Sequence, residues 1–495
     1  MKNRAAGILL HVSSLPSNYG IGTMGKEAFN FIDKLVESKM KYWQILPLGP
    51  TSFGDSPYQS FSAFAGNPYF IDLDFLVEEN LLSQSDLEDI NWFDTEDCVS
   101  YELLWQNRFD VLRIAYDKKA HMNSLDYKKF IKSQKYWLDD YAIFMACKAH
   151  FDNKCWLEWD EDIKKRRVKA MKHYEKLLAD DIDFYKFLQY KFFEQWYSLK
   201  NYANDKNIDI IGDIPIYVSM DSADIWANSK LFLLDKNLNP KFIAGCPPDA
   251  FSEDGQKWGN PLYDWKALEK DDFYWWRKRM HLSSKLYNVI RIDHFIGIER
   301  YFSIPIDGMA KDGFYTEGPR NKLIHAIDES IDDAQIIAED LGVLTDGVRE
   351  LLKSSGYPGM KVLQFAFGSD AENPYLPHNH IKNCILYIGT HDNDTISGYL
   401  STISEQELKF LLKYLDCSDT ENIGDKLICS AFASVSDTLI LQMQDILGKD
   451  STSRMNFPST TENNWCFRMR KDDFKDVHTK MLREYSETYG RENKF

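Results

Sequence analysis

The chain has 495 residues and carries 76 acidic against 59 basic side chains, which gives a formal net charge of −17. This charge argues against nucleic acid or an anionic membrane surface as a partner, and it favours a neutral or cationic ligand. The N-terminus lacks a secretory apolar region with a cleavage site, and no apolar run reaches the roughly 18 residues that a membrane span needs. We therefore expect a soluble, cytoplasmic protein.

The cysteine and aromatic contents add two further expectations. The eight cysteines include no C-x-x-C pair and show no regular spacing. In a chain of this length, that pattern predicts free thiols in a reducing compartment. The 13 Trp, 27 Tyr and 31 Phe are a large aromatic content. Most of these rings are expected in the core, and the excess suits a protein that stacks rings on sugars.

Short apolar runs alternate with helical patterns along most of the chain. An apolar run at residues 7–12, a helical pattern at 28–35 and a second run at 42–48 form a β-α-β unit, which implies a parallel sheet. Six further runs are predicted as strands, at residues 208–218, 288–295, 334–342, 361–367, 385–393 and 438–447. Eight strands alternating with helices predict an α/β fold of the (β/α)8 TIM barrel type with large, mainly helical loop insertions.

We expect one catalytic barrel domain over residues 1–495, with some loops enlarged into subdomains. Residues 75–205 are mostly helical and polar in pattern, and we predict a helical insertion there. Residues 240–285 follow the third predicted strand and include a polar stretch rich in Gly and Pro, which predicts a lid-like loop insertion. The loop at residues 56–69 is aromatic and irregular in pattern, and it is expected to form a wall or a lid.

Carboxylates follow four of the predicted strands: Asp213 the third, Asp293 the fourth, Glu339 the fifth and Asp392 the seventh. The carboxyl ends of the strands form the catalytic face of a TIM barrel, so polar residues there point to chemistry. One such residue is equally well explained as half of an ion pair at the end of a strand, as for Asp293 with Arg291. Four of them at the same face favour an active site.

Two kinds of chemistry fit these carboxylates. Paired carboxylates without metal ligands suggest glycoside cleavage by a nucleophile and an acid of raised pKa. The alternative is a hydrolase metal centre drawn from residues 391–394 together with Asp293 and His294. No H-x-H motif follows the first strand and no lysine stands where a bridging group is expected, so glycoside chemistry is favoured.

The chain resembles glycoside hydrolase family 77, the 4-α-glucanotransferases, also called amylomaltases or disproportionating enzymes. The motifs that carry the resemblance are GILLHVSSL at residues 7–15, SPYQ at 56–59, GDIPI at 212–216, GQKWGNPLY at 255–263, RIDHF at 291–295, AEDLG at 338–342 and GTHDN at 389–393. They span nearly the whole chain in order. The resemblance implies the barrel and retaining mechanism of the α-amylase-like clan, without a cofactor or a metal.

The resemblance also implies roles for individual residues. Asp293 would be the nucleophile, Glu339 the general acid/base and Asp392 the stabiliser of the transition state. The implied substrate-binding residues are Ser56, Tyr58, Asp213, Asp249, Gln256, Trp258, Arg291, His294, His391 and Asn464. Among them, Tyr58 would stack on a sugar ring, and the loop at 249–260 would cover the groove as a flexible lid.

Two positions depart from the family pattern. Pro458 is followed by Ser459 where the family usually has Gly, which bears on the neighbouring contact from Asn464. Ala250 stands in the lid where an aromatic residue is common, which bears on a contact to the acceptor.

The implied activity is transfer of α-1,4-glucan segments from a donor maltooligosaccharide to the 4-hydroxyl of an acceptor, through a covalent glucosyl-enzyme. The expected partners are maltooligosaccharides and α-1,4-glucans, and the expected state is a monomer or a weak homodimer. Hydrolysis of α-1,4-glucans, a metal-dependent hydrolase and a glucan-binding protein without activity remain as alternatives.

Overall fold

A computed structural model describes residues 4–248 and 254–494. Its strands are β1 (Ala5–Leu9), β2 (Tyr42–Gln44), β3 (Asp209–Pro215), β4 (Phe242–Cys246), β5 (Gln256–Pro261), β6 (Val289–Asp293), β7 (Arg300–Pro305), β8 (Phe314–Glu317), β9 (Gln335–Ala338), β10 (Gly359–Val362), β11 (Cys384–Tyr387) and β12 (Thr438–Gln442). Its α-helices are α1 (Lys26–Glu37), α2 (Leu73–Glu78), α3 (Tyr101–Asp117), α4 (Leu125–His150), α5 (Glu161–Lys164), α6 (Val168–Leu177), α7 (Ala179–Asp205), α8 (Ala223–Ala227), α9 (Trp265–Lys270), α10 (Tyr274–Leu286), α11 (Ile296–Glu299), α12 (Asn321–Asp328), α13 (Asp346–Ser355), α14 (Ile396–Thr402), α15 (Glu405–Tyr414), α16 (Ile423–Ala433), α17 (Met443–Ile446) and α18 (Asp476–Thr488). Within the described ranges, no helix is both long and apolar enough to cross a membrane.

Eight parallel strands form the centre of the fold. Their order is β10-β11-β12-β1-β2-β3-β6-β9, and each neighbouring pair is parallel. At the two ends of this order, the backbone N–H of Ala338 donates to the carbonyl of Pro358 at 3.0 Å. The last strand therefore approaches the first and the sheet is nearly closed, which confirms the predicted (β/α)8 barrel.

The apolar runs form strands because both of their faces are covered. Strands β1, β11 and β12 consist entirely of buried residues, as expected between a barrel interior and a layer of helices. Helix α1 shows the matching pattern on the outside, since it buries Ala28, Phe31, Ile32 and Leu35 on one face.

Several strands are shorter than the apolar patterns predict. Residues 363–365 form a 3-10 turn and residues 443–446 form α17, although the pattern predicts strand at both places. The strands predicted at 385–393 and 334–342 end at Tyr387 and Ala338. Apolar residues beyond the strand ends are buried all the same, such as Ile388 in a loop and Met443 in α17. An apolar run alone does not distinguish a buried turn from a strand.

The segment between β2 and β3 consists mainly of helices, α2 to α7. Helices α4 and α7 pack against each other, and the rings of Phe130 and Trp137 lie 5.5 and 5.9 Å from that of Phe193. This content agrees with the helical pattern predicted for residues 75–205. Their standing as a separate subdomain stays a prediction.

A second sheet has four antiparallel strands in the order β5-β4-β7-β8. The insertion predicted at 240–285 contains β4, β5, α9 and α10, so this segment is more regular than a loop. Its Gly and Pro residues hide the strand pattern because they interrupt the apolar alternation. Residues 249–253, including Asp249 and Ala250, lie outside the described residues, and the lid-like role stays a prediction.

Candidate active site

A cleft of about 1700 Å³ holds all three predicted catalytic carboxylates, those of Asp293, Glu339 and Asp392. Asp293 is the last residue of β6, while Glu339 and Asp392 follow the ends of β9 and β11. The cleft therefore opens at the carboxyl ends of the barrel strands, the face at which TIM barrels carry their active sites.

Arg291 joins two carboxylates at the floor of this cleft. Its Nη1 donates to Asp213 Oδ2 at 2.6 Å and to Asp293 Oδ1 at 3.0 Å. Residues two apart on a strand point to the same side, so Arg291 and Asp293 are neighbours on β6. The register of β3 against β6 then sets Asp213 opposite Arg291. Asp213 is fully buried, whereas the side chain of Asp293 keeps 27% exposure, so Asp293 can meet a ligand.

Tyr58 is fixed at its hydroxyl group and along one face of its ring. The hydroxyl donates to Asp213 Oδ2 at 2.9 Å. The ring stacks on His391, with centroids 5.2 Å apart and planes 14° apart, and Trp465 lies 5.7 Å from it. Tyr58 is thereby a rigid aromatic wall of the cleft, as stacking on a sugar requires.

Glu339 is buried and accepts two backbone hydrogen bonds. The N–H of His294 donates to Oε2 and that of Leu341 to Oε1, each at 2.7 Å. His294 has a left-handed φ of 52°, uncommon for a residue other than glycine, and in this conformation its N–H meets Glu339. Burial raises the pKa of Glu339 to about 8; Arg291 and the two N–H groups oppose the rise, and Asp293 adds to it. A carboxyl group with this pKa is protonated at neutral pH and can act as a general acid.

Asp392 is the most exposed of the three carboxylates, with 44% of its side chain accessible. The amide Nδ2 of Asn456 donates to its Oδ1 at 2.6 Å. His391 Nε2 lies 3.4 Å from its Oδ2. The guanidinium group of Arg454 donates to its backbone carbonyl. Asp392 is thus held from the side of residues 454–456.

The remaining predicted residues differ in where they lie. Ser56, Gln256, Trp258 and His294 line the cleft, whereas Asp213 lies beneath Tyr58 and lines a smaller adjoining cavity. Trp258 Nε1 donates to Gln256 Oε1 at 3.0 Å, and its ring meets that of His294 edge-on at 4.8 Å. Burial lowers the pKa of His294, which favours its neutral form. Asp249 lies outside the described residues.

Asn464 does not line the cleft. Its Oδ1 accepts from the N–H of Phe457 at 2.8 Å, and its Nδ2 donates to the carbonyl of Thr460 at 3.0 Å. Its amide therefore closes the loop that it belongs to. Asn456, which the sequence analysis does not single out, faces the cleft from the start of the same loop.

Sequence reasoning also misses the aromatic residues that extend the cleft walls. They are Tyr101, Trp105 and Phe109 of α3, with Tyr141, Tyr217, Phe365, Tyr375 and Trp465 from other parts of the chain. Residues spaced by four lie on one face of a helix, so the aromatic spacing in α3 is a signal that could have found this wall. Helix α3 thus contributes one side of the cleft.

Within the described ranges, no group of three or more His, Cys, Asp or Glu side chains could hold a metal ion. The alternative metal centre, drawn from residues 391–394 with Asp293 and His294, therefore has no assembled ligand set there. A barrel whose catalytic face combines an Arg-paired carboxylate, a buried carboxylic acid and aromatic walls belongs to the class of enzymes that act on glycosides.

Comparisons with known proteins identify the family. The sequence model for glycoside hydrolase family 77, described as 4-alpha-glucanotransferase, matches residues 10–473, and the chain belongs to this family. It is 49% identical to the 4-alpha-glucanotransferase of Clostridium butyricum, over 97% of this chain and 100% of the relative. It is 46% identical to the 4-alpha-glucanotransferase of Streptococcus pneumoniae serotype 4, over 100% of this chain and 98% of the relative.

A solved structure agrees with these relatives. The amylomaltase from Streptococcus agalactiae in complex with acarbose superposes with a TM-score of 0.96. It is 42% identical in sequence, and the match covers 99% of this chain and 100% of that chain. At this identity and coverage, the likeness extends beyond the barrel to the whole chain.

Proposed function

We propose that the protein is a retaining 4-α-glucanotransferase, which moves α-1,4-glucan segments from a donor maltooligosaccharide to the 4-hydroxyl of an acceptor glucan or glucose. The observation that carries the proposal is the pairing, in one open cleft, of a carboxylate charge-paired to Arg291 with a buried carboxylic acid. Asp293 and Glu339 supply this pair. The family of the chain and the amylomaltase-acarbose structure support the same activity.

In the first step, Glu339 donates its proton to the glycosidic oxygen while Asp293 attacks the anomeric carbon. The bond to the leaving glucan breaks, and a β-linked glucosyl-enzyme forms on Asp293. In the second step, the 4-hydroxyl of the acceptor attacks the same carbon and passes its proton to Glu339. Two inversions leave the product in the α configuration, and both carboxyl groups return to their starting states.

Two further groups would act on the sugar as its ring flattens. Asp392 keeps Oδ2 for hydroxyl groups of the sugar, since Oδ1 is already bound by Asn456. Hydrogen bonds to a carboxylate that strengthen in the transition state raise kcat without tightening substrate binding equally. Tyr58 would cover the face of the same sugar with a ring that cannot turn away.

Transfer has to prevail over attack by water. Water at roughly 55 M competes with an acceptor at about 10 mM, and this ratio corresponds to about 5 kcal/mol. Positioning of the acceptor and exclusion of water must supply this difference. The aromatic residues along the cleft, among them Trp105 and Trp258, are suited to binding acceptor sugars. Hydrolysis of α-1,4-glucans is the competing outcome at the same site.

The wild-type protein is expected to convert maltotriose into glucose and a ladder of longer maltooligosaccharides, with almost no increase in reducing ends. Each transfer breaks one glycosidic bond and forms another, so the number of reducing ends is conserved. Chromatography of the products and a reducing-end assay measure the two quantities together. EDTA in excess should leave the rate unchanged, because the proposed reaction uses carboxyl groups alone. A steady rise in reducing ends would instead identify a hydrolase.

Tyr58→Phe is expected to lower kcat about 3- to 10-fold, because it removes the hydrogen bond to Asp213 and keeps the ring. Tyr58→Ala removes the ring as well and should lower kcat/KM by about 100-fold or more, given the size of the lost aromatic contact. Steady-state kinetics on maltotriose measure both variants, with calorimetric Tm values to verify folding. Equal losses in the two variants would contradict a role for the ring.

The proposed substrates are maltooligosaccharides and α-1,4-glucans, and the proposed location is the cytoplasm. The buried Cys147 and Cys384 are free thiols, which supports a reducing compartment. We further propose that residues 75–205 act as an insertion that borders the glucan-binding cleft, supported by the lining residues of α3. A monomer or weak homodimer is the proposed assembly.

A further inference from the structure

Residues 454–456 contact Asp392 and its neighbour at several points. The side-chain amide of Asn456 donates to Asp392 Oδ1 at 2.6 Å, and its backbone N–H donates to the carbonyl of His391 at 3.1 Å. The guanidinium group of Arg454 donates to the carbonyl of Asp392, and its Nε donates to the carbonyl of Asn456 at 2.8 Å. Main chain and side chain of Asp392 are therefore fixed from one side.

The chemistry of the contact defines what Asn456 does. An ionised carboxylate only accepts hydrogen bonds, so the amide must present its NH2 group to Asp392. A hydrogen bond of this kind is charge-assisted and stronger than one between neutral groups. It binds Oδ1, whereas Oδ2 lies 3.4 Å from His391 Nε2, and Asp392 itself lines the cleft.

We propose that Asn456 is a positioning residue, which fixes the rotamer of Asp392 so that Oδ2 meets the sugar in the transition state. This inference rests on the proposed glucan transfer at the same site. Asp392 needs such support because it lies on a loop beyond β11, with 44% of its side chain exposed. An exposed aspartate on a loop populates several rotamers, and its contribution to catalysis requires one.

The loop at residues 456–465 follows Asn456 and contains Asn464, which helps to close it. The N–H of Trp465 donates to the carbonyl of Met455 at 2.7 Å, and Asn464 accepts from the N–H of Phe457. These bonds close the loop directly beside Asn456. Asn464 thus supports the position of Asn456, and the contact to Asp392 comes from Asn456.

Two variants separate a donor role from a space-filling role. Asn456→Ala removes the donor and is expected to lower kcat for maltotriose about 10- to 100-fold, with KM changed less than about 3-fold. Asn456→Asp keeps the shape and the backbone bonds but sets a second carboxylate against Asp392, so at pH 7 its kcat should fall below that of Asn456→Ala. Asn237→Ala, an exposed asparagine outside the cleft, is the matched control and should retain wild-type kcat and KM.

The order of the kcat values decides the proposal. Positioning through Asp392 is supported if kcat falls from the wild type to Asn456→Ala and again to Asn456→Asp. The Tm values of both variants should then stay close to that of the wild type. An Asn456→Asp variant more active than Asn456→Ala would overturn it in favour of packing, and a loss confined to KM would overturn it in favour of direct substrate contact. Failure of the wild type to disproportionate maltotriose would instead refute the proposed function, so the two failures are distinct.

Discussion

Asp293→Ala is expected to lower kcat for maltotriose disproportionation by about 10,000-fold or more, because a covalent route has no substitute for its nucleophile. Arg291 holds the wild-type carboxylate at 3.0 Å, and the side chain retains access to the cleft. Without it, a glucosyl-enzyme cannot form. The buried acid and the aromatic walls remain, so binding of maltotriose should persist.

Rescue by azide tests the nucleophile directly. Alanine leaves an empty space beside the cation of Arg291, which can receive a small anion. With α-maltosyl fluoride as donor, the leaving group needs no protonation, and azide should attack from the face that Asp293 vacated. The product is then β-maltosyl azide, which NMR spectroscopy distinguishes from the α anomer.

Asp213→Ala is the matched control for this experiment. It also removes a carboxylate bound to Arg291, at 2.6 Å, but it leaves Asp293 in place. Its activity should fall, yet any azide product should keep the α configuration because the glucosyl-enzyme still forms. An active Asp293→Ala variant, or one that gives only the α azide, would refute Asp293 as the nucleophile.

The contact between Arg291 and Asp293 on β6 could be predicted from the sequence, because the two residues are only two positions apart. Alternation along a strand places Arg291 beside Asp293, and the structure shows this contact. The third partner, Asp213, is set opposite Arg291 by the register of two strands distant in sequence. Register depends on which side chains pack across the sheet, and no local pattern encodes it.

The loop at residues 456–465 shows where sequence reasoning fails. Asn456 and Asn464 have the same side chain and belong to the same short segment. Asn464 forms its hydrogen bonds with Phe457 and Thr460 inside the loop, whereas Asn456 donates to Asp392. Which of the two asparagines faces the cleft depends on how the loop closes. Residue type and spacing in the sequence therefore cannot predict it.

Glu339→Gln is expected to lower kcat for maltotriose about 100- to 10,000-fold, the range that general acid catalysis contributes. The size of the loss should depend on the leaving group. α-Maltosyl fluoride needs no proton on its leaving group, so formation of the glucosyl-enzyme from it should slow less than about 10-fold. The acceptor then lacks a base, and the maltosyl-enzyme should accumulate on Asp293, where mass spectrometry of peptides can locate it.

The pH dependence supplies a second test of the same carboxyl group. Burial raises the pKa of Glu339 to about 8, so the acid is protonated at neutral pH and loses its proton as pH rises through about 8. The wild-type kcat/KM for maltotriose should therefore fall on the alkaline side of this value. In Glu339→Gln, formation of the maltosyl-enzyme from the fluoride should show no such alkaline decline, because glutamine does not titrate.

Glu405→Gln provides the control, since Glu405 is 88% exposed on α15 and lies outside the cleft. It should keep the wild-type pH profile and the same activity on both donors. Equal losses of Glu339→Gln on maltotriose and on the fluoride would show that the change disturbs the site generally. An alkaline decline that survives in Glu339→Gln would assign it to another group. The buried carboxyl group is identified as the proton donor by two results together. Glu339→Gln must lose activity on maltotriose much more than on the fluoride, and its activity must no longer decline at alkaline pH.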